Sequence, residues 1–131
     1  MGTQNKSMKE FRVIIAGSRY YDDYETLREK CESLLSHKFL DPNCTIIVLS
    51  GGAAGADALG ERFAKEHHLQ VELHPANWEK YGRAAGPRRN AEMAACADAL
   101  IAFPKQGEAN RGTNNMISLA KAKGLLVRVI I

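Results

Sequence analysis

Five short apolar segments alternate along this chain with four segments of helical periodicity, and no other feature limits the fold as strongly. The apolar segments are residues 11–16, 45–49, 71–74, 99–103 and 125–131. Most of them are apolar at consecutive positions rather than at every second one, which is typical of strands buried on both faces of a parallel sheet. Strands that alternate with helices predict an α/β fold in which helices cover both sides of that sheet.

The helices are predicted from apolar spacing and from residues that favour helix starts. After Asp22 or Asp23, either of which can cap a helix, apolar residues recur at i, i+4, i+7 and i+8 counted from Leu27. A second helix is predicted over residues 56–67. A third begins at residues 86–87, where a proline suits the first helical turn, and a fourth precedes the last strand.

The strand order follows from burial and from the loops. Strands one and four read as the most buried, and the loops after both are rich in Gly, Arg and Ser. We therefore expect a Rossmann-like, doubly wound sheet of order 3-2-1-4-5, with 2-1-3-4-5 as the alternative that periodicity leaves open. In such sheets ligands bind beyond the carboxyl ends of the strands where the winding reverses, here between strands one and four.

Composition narrows the class of protein. The 131 residues carry a formal net charge of +3 without a basic run, which does not by itself indicate nucleic acid, although that partner stays open. Three cysteines without a C-x-x-C pair predict reduced thiols, and we assign no disulfide, metal or cofactor. Because there is no apolar stretch of about 20 residues and no signal peptide, we expect a cytoplasmic protein with no membrane contact. We expect residues 1–8 to be a disordered leader and residues 9–131 to form one domain.

A glycine-rich turn, Ser50-Gly51-Gly52-Ala53-Ala54-Gly55-Ala56-Asp57, joins the second strand to the second helix. Glycines let another group approach the main chain closely, and the first turn of a helix has free N–H donors and a partial positive charge. The turn is therefore a candidate anion site, most often for phosphate. A tight connection with no ligand is the alternative, since the pattern is neither the dinucleotide fingerprint nor a P-loop.

Arginines cluster at the predicted starts of two helices. Arg88 and Arg89 fall in the first turn of the third helix, and Arg111 immediately precedes the fourth. A cation there is disfavoured by about 0.3 to 1 kcal/mol, and a bound anion would reverse the sign. Arg19 follows the first strand at the same edge of the sheet. Because guanidinium groups pair with phosphate in bidentate fashion, the expected anion is a phosphate.

Other polar and aromatic residues at this edge have two interpretations each. Asp57 can serve as an acidic residue near a helix start or contact a ribose hydroxyl, and Asn90 can bind a ligand or face solvent. Trp78 and Tyr81 lie in residues 75–86, the longest stretch without a clear period, where packing over the sheet edge is the more common role and stacking on a base is the alternative. The alanines of the third helix would allow a homodimer, although core packing explains them equally well.

Four blocks of sequence resemble the YspA-like branch of the SLOG superfamily. They are residues 17–19, 50–57, 85–93 and 103–116, in which Phe103-Pro104 precedes Arg111-Gly112-Thr113-Asn114-Asn115-Met116. The superfamily is Rossmann-like and includes Lonely Guy phosphoribohydrolases, DNA-processing protein A and domains proposed to sense nucleotides. The resemblance and the residue patterns together predict these ligand-binding residues: Gly17, Ser18, Arg19, Ser50, Gly51, Gly52, Gly55, Asp57, Arg88, Arg89, Asn90, Arg111, Gly112 and Thr113.

One departure from the superfamily concerns catalysis. Lonely Guy enzymes carry P-G-G-x-G-T-x-x-E, whose glutamate helps cleave the glycosidic bond, whereas Met116 stands three residues after Thr113 here. A methionine cannot transfer a proton, and nothing in the sequence brings Asp57 and Glu108 together as a substitute pair. We therefore expect binding of a nucleotide-like small molecule. Cleavage of a nucleoside 5'-monophosphate and binding of single-stranded nucleic acid remain the alternatives.

Overall fold

The computed structural model describes residues 9–131, so the predicted leader lies outside the described residues. The strands are β1 (Lys9–Gly17), β2 (Cys44–Ser50), β3 (Gln70–Leu73), β4 (Ala99–Phe103) and β5 (Leu126–Val129). The helices are α1 (Tyr24–Leu34), α2 (Ser36–Phe39), α3 (Ala56–Glu66), α4 (Trp78–Tyr81), α5 (Ala85–Cys96) and α6 (Arg111–Ala122), with a 3-10 turn at Gly82–Ala84 between α4 and α5.

The five strands form one parallel sheet of order β3-β2-β1-β4-β5. The predicted order is confirmed and the alternative 2-1-3-4-5 is excluded. Gly17 at the end of β1 is paired with Phe103 at the end of β4. The chain leaves these two neighbouring strands in opposite directions, which opens the crevice where ligands bind in doubly wound sheets.

Alternate residues of the central strand enter two separate cores. Val13 and Ile15 pack on the side of α1 and α3, whereas Ile14 and Ala16 pack on the side of α5 and α6. This alternation follows from the strand, whose successive side chains point to opposite faces of the sheet. All four residues are buried, so the central strand is covered on both faces as its apolar sequence predicts.

Local differences from the sequence predictions have simple causes. The sequence prediction missed α2 and α4 because four residues are too few to show a period. The third predicted helix, α5, begins at Ala85, one residue earlier than expected, and β5 is shorter than the apolar segment that contains it. Asp23 rather than Asp22 caps α1, accepting a hydrogen bond of 3.1 Å from Thr26 N.

The thiols, the alanine face of α5 and the lengths of the helices complete the description of residues 9–131. Cys31, Cys44 and Cys96 are free thiols, and burial raises the pKa of the Cys31 thiol to about 12. On α5, Ala94 is buried and Ala91 and Ala95 are exposed, so a homodimer through this face stays a prediction. None of the helices within residues 9–131 combines the length and the apolar character that crossing a bilayer requires.

Candidate functional site

A cavity of about 650 Å³ lies at the carboxyl edge of the sheet, between the ends of β1 and β4. Its walls come from residues 16–20 after β1, from Ala53 and Asp57, from Trp78, and from parts of 86–93 and 108–116. The two loops that flank the crevice are joined by Lys105 Nζ, which donates a hydrogen bond of 3.0 Å to Tyr20 O. This volume is within the range of small-molecule and cofactor sites.

The glycine-rich turn after β2 bonds two of its own amide groups to side chains of the same segment. Gly52 N donates to Ser50 Oγ at 3.1 Å, and Ala53 N donates to Asp57 Oδ2 at 3.2 Å. The Ser50 hydroxyl donates in turn to Glu61 Oε2 at 2.6 Å. Donors that are satisfied inside the protein are less available to a ligand, so these amides add little to an anion site.

Two glycines of this turn allow close packing of neighbouring groups. Gly55 has φ +76°, and a Cβ there would overlap the carbonyl of Ser18 and the backbone of Arg19. The same loop is held by Ala56 N, which donates to Ser18 O at 3.0 Å. A Cβ at Gly51 would overlap the guanidinium of Arg89. The turn therefore positions the loop after β1 and the side chain of Arg89.

Asp57 is a buried carboxyl group in the cavity wall, with 6% of its surface exposed. Burial raises its pKa to about 6, and the charge of Glu61 acts in the same direction. Hydrogen bonds from the backbone of Ala53 and Gly17 and the positive charge of Arg89 oppose the rise. A carboxyl group with such a pKa can gain or lose a proton near neutral pH.

Arg89 and Asn90 link three parts of the site. Arg89 Nη1 donates to Gly51 O at 2.7 Å, and its Nε donates to Asn90 Oδ1 at 3.0 Å. Asn90 Nδ2 donates to Asn115 Oδ1 at 2.9 Å, which ties α5 to α6. Arg88 points elsewhere: its guanidinium lies over the ring of Tyr81, 4.1 Å from the centroid, and it does not line the cavity.

The start of α6 presents free hydrogen-bond donors to the cavity. Asn110 holds the cap position with φ +55°, yet its side chain accepts from Lys105 N at 3.0 Å and donates to Lys105 O at 2.9 Å instead of capping the helix. Within residues 9–131, the N–H groups of Arg111, Gly112 and Thr113 have no hydrogen-bond acceptor. These are the donors that a helix start offers to an anion.

Side chains add to these donors. Thr113 is buried, with 5% of its surface exposed, and its hydroxyl has no hydrogen-bond partner in the described part of the chain. Among the same residues, the guanidinium groups of Arg19 and Arg111 form neither an ion pair nor a hydrogen bond. Arg111 is the first residue of α6 rather than the residue before it.

The structure brings together most, but not all, of the residues that the sequence predicts for ligand contact. Those that line the cavity are Gly17, Ser18, Arg19, Asp57, Arg89, Asn90, Arg111, Gly112 and Thr113. Those that do not are Ser50, Gly51, Gly52, Gly55 and Arg88. Sequence reasoning also missed Asn110 and Asn115, and the only signal that could have found Asn110 is its place before a helix.

A second polar cluster lies away from the cavity. Ligand atoms of Glu72, His74 and Cys96 lie within 4.8 Å of one another, which could suggest a metal site. The guanidinium of Arg12 already donates to Glu72 and lies 3.8 Å from Cys96 Sγ. Burial opposes ionisation of Glu72, yet the hydrogen bonds from His74 and Arg12 hold its pKa below the usual value. The arginine thus supplies the positive charge that a metal ion would bring.

Residues 11–81 match the YspA, cpYpsA-related SLOG family, which agrees with the sequence blocks and with the fold described above. The chain belongs to this family. A relative of this SLOG domain, the Gene 61 protein of Mycobacterium phage D29, is 38% identical over an alignment of 99 residues that covers 71% of this chain and 76% of the phage protein.

Two solved structures share the fold of this SLOG domain. DNA processing protein A (DprA) from Streptococcus pneumoniae superposes with a TM-score of 0.68 at 15% identity over 94% of this chain. The superposition covers 50% of the DprA chain, so this chain spans about half of its length. TM1055, a structural genomics target, gives a TM-score of 0.60 at 23% identity, covering 92% of this chain and 72% of its own. At these identities the likeness shows the fold alone.

Proposed function

We propose that this SLOG domain binds a nucleotide or a nucleotide-derived phosphate ligand in the cavity at the carboxyl edge of its sheet. The observation that carries the proposal is the start of α6, where uncapped N–H groups, the buried hydroxyl of Thr113 and the unpaired guanidinium of Arg111 line one wall among the described residues. Each of these groups donates hydrogen bonds, and the helix dipole favours negative charge at the same place.

The other charges of the cavity are consistent with an anionic ligand. Arg19, Arg89 and Arg111 line it together with the carboxyl groups of Asp57 and Glu108. Because the pKa of Asp57 is raised to about 6, an approaching phosphate can be accompanied by a proton on this carboxyl group. A proton taken up on Asp57 with the ligand would remove one negative charge from the cavity wall.

Calorimetry with AMP, NAD, ADP-ribose and cyclic dinucleotides tests the proposal. We expect Arg111→Gln to weaken binding roughly 10- to 150-fold, the worth of a hydrogen bond to a charged group, and Thr113→Val to weaken it roughly 2- to 12-fold. Arg128→Gln is the matched control, because Arg128 lies on β5 and donates to Val127 O at 3.1 Å outside the cavity. No heat with any of these ligands, or equal effects of Arg111→Gln and Arg128→Gln, would contradict it.

Cleavage of the N-glycosidic bond of a nucleoside 5'-monophosphate is a second candidate function. The observation that favours it is that Asp57 and Glu108 line the same cavity, which the sequence alone does not indicate. Met116 is buried and stands where the Lonely Guy motif has its glutamate, and a methionine cannot contribute a proton. If the protein cleaves this bond, chromatography after incubation with AMP should detect free adenine. The variants Asp57→Asn and Glu108→Gln should then release none. Unreacted AMP after long incubation with the parent protein would exclude hydrolysis and leave ligand binding as the function of the cavity.

A further inference from the structure

The single tryptophan of the chain stands at the cavity with much of its ring in solvent. Trp78 is the first residue of α4, lines the cavity and is 58% exposed. Its indole is a large apolar surface, and such rings ordinarily bury most of it in a core or an interface. The sequence-based expectation that Trp78 packs over the sheet edge therefore accounts for only part of the ring.

The short helix that carries the indole is capped, and one edge of the ring lies against α5. Asn77 caps α4 by accepting a hydrogen bond of 3.1 Å from Lys80 N. At the start of α5, a Cβ on Gly86 would lie 3.3 Å from Cη2 of the Trp78 ring. The absence of a side chain at Gly86 thus lets one edge of the indole rest against α5.

The ring of Trp78 has no partner of its own. Within residues 9–131 it makes no stacking, cation–π or hydrogen-bond contact. Tyr81, one turn further along, differs because Arg88 and Lys80 lie over its ring at 4.1 and 5.1 Å. An oriented, unpartnered indole in a cavity wall is a stacking surface for a planar aromatic group.

We propose that Trp78 is the stacking platform for the aromatic base of the ligand, and that it makes the site select nucleosides with a phosphate over sugar phosphates. The proposal rests on the proposed function, in which the start of α6 holds the phosphate. It adds a second recognition element on a different wall of the same cavity. Because every base has a π-face, stacking favours bases in general, with purines ahead of pyrimidines by contact area.

Tryptophan fluorescence, excited selectively at wavelengths where the tyrosines absorb little, provides a direct test, since Trp78 is the single tryptophan of the chain. Titration with AMP, GMP, CMP and UMP should quench it, whereas ribose 5-phosphate should bind without comparable quenching. By calorimetry, Trp78→Leu should weaken AMP binding roughly 5- to 150-fold, the worth of one base–aromatic stack. Trp78→Phe should restore most of that loss, and the affinity for ribose 5-phosphate should be the same in all three proteins.

Tyr81→Leu is the matched control, because it removes an aromatic ring from the same short helix without changing the cavity wall. It should bind AMP like the parent protein. Equal losses of AMP and ribose 5-phosphate binding in Trp78→Leu would overturn the proposal and assign the ring a structural role. Equal affinity of the parent for AMP and ribose 5-phosphate would overturn it too. Binding of neither compound nor of the other nucleotides would instead refute the proposed function, and the stacking role with it.

Discussion

Asn in place of Asp57 should stabilise the domain at neutral pH, because the parent protein keeps a buried carboxylate there. Burial raises the pKa of Asp57 from 3.8 to about 6. The folded state therefore holds its proton to a higher pH than the unfolded state does. Between pH 4 and pH 6 the unfolded state loses the proton first, so the free energy of unfolding of the parent falls as the pH rises.

The size of the effect follows from the shift. A shift of about two pKa units at about 1.4 kcal/mol each costs the folded parent about 3 kcal/mol once the pH exceeds 6. Asparagine cannot ionise, so Asp57→Asn avoids this cost. The amide oxygen can still accept from Ala53 N, but one of the backbone hydrogen bonds that Asp57 accepts is lost, at about 1 kcal/mol. The net gain at pH 7 should be about 2 kcal/mol.

Urea unfolding of the parent and of Asp57→Asn at half-unit steps from pH 4 to pH 8 measures this difference. The stability of the variant relative to the parent should rise by about 2.4 kcal/mol across that range, mostly below pH 7, because the unfolded carboxyl group is already more than half ionised at pH 4. Asp22→Asn is a suitable control for the loss of a carboxylate charge, since Asp22 is exposed and does not line the cavity. A constant difference for Asp57→Asn, or a variant that becomes relatively weaker as the pH rises, would refute the reasoning.

Four further outcomes follow from single contacts. Gly55→Ala should lower the free energy of unfolding in urea by about 3 kcal/mol or more, because the added Cβ clashes with Ser18 and the φ of this residue is unfavourable for alanine. Gly52→Ala has a similar φ of +77° but open space around the Cβ, so it should cost about 1 to 2 kcal/mol. Asp23→Ala should lower the melting temperature through the loss of a helix cap worth about 1 kcal/mol. Asn90→Ala should cost about 1 kcal/mol, because the buried amide of Asn90 bonds to the half-buried side chains of Arg89 and Asn115, and equal melting curves would contradict this.

The strands and long helices could be predicted because burial leaves a pattern in the sequence, a continuous apolar run for a strand covered on both faces and a helical period for a helix. Ala99–Phe103 is a strand over the predicted residues, since this strand lies inside the sheet and is apolar throughout. The 3-10 turn at Gly82–Ala84 and the short α4 before it could not be found in this way. Such short elements are set by contacts with the rest of the molecule, here the cap by Asn77 and the packing of Trp78 against α5.

The place of the site could be predicted from topology, but the state of its hydrogen-bond donors could not. A parallel sheet brings the loops after its strands to one edge whatever their sequence. Whether an amide there is free depends on which hydrogen-bond partners the nearby side chains take in the folded structure. Ala53 N is used by Asp57, and the amides at the start of α6 are free because Asn110 bonds to Lys105 instead of capping its helix.

The unfavourable placement of arginines at helix starts, noted in the sequence, holds in the structure for the start of α6. A cation beside a helix N-terminus needs an anion to become favourable. Arg89 donates to a carbonyl oxygen, and Arg88 lies over the ring of Tyr81, so protein groups stabilise both. Arg111 has no such partner within residues 9–131, although it is the first residue of a helix whose first amides are also free. The positive charge of Arg111 therefore lies beside the positive end of the helix dipole, and a bound phosphate would offset this repulsion. For this reason Arg111 is the most informative arginine to replace.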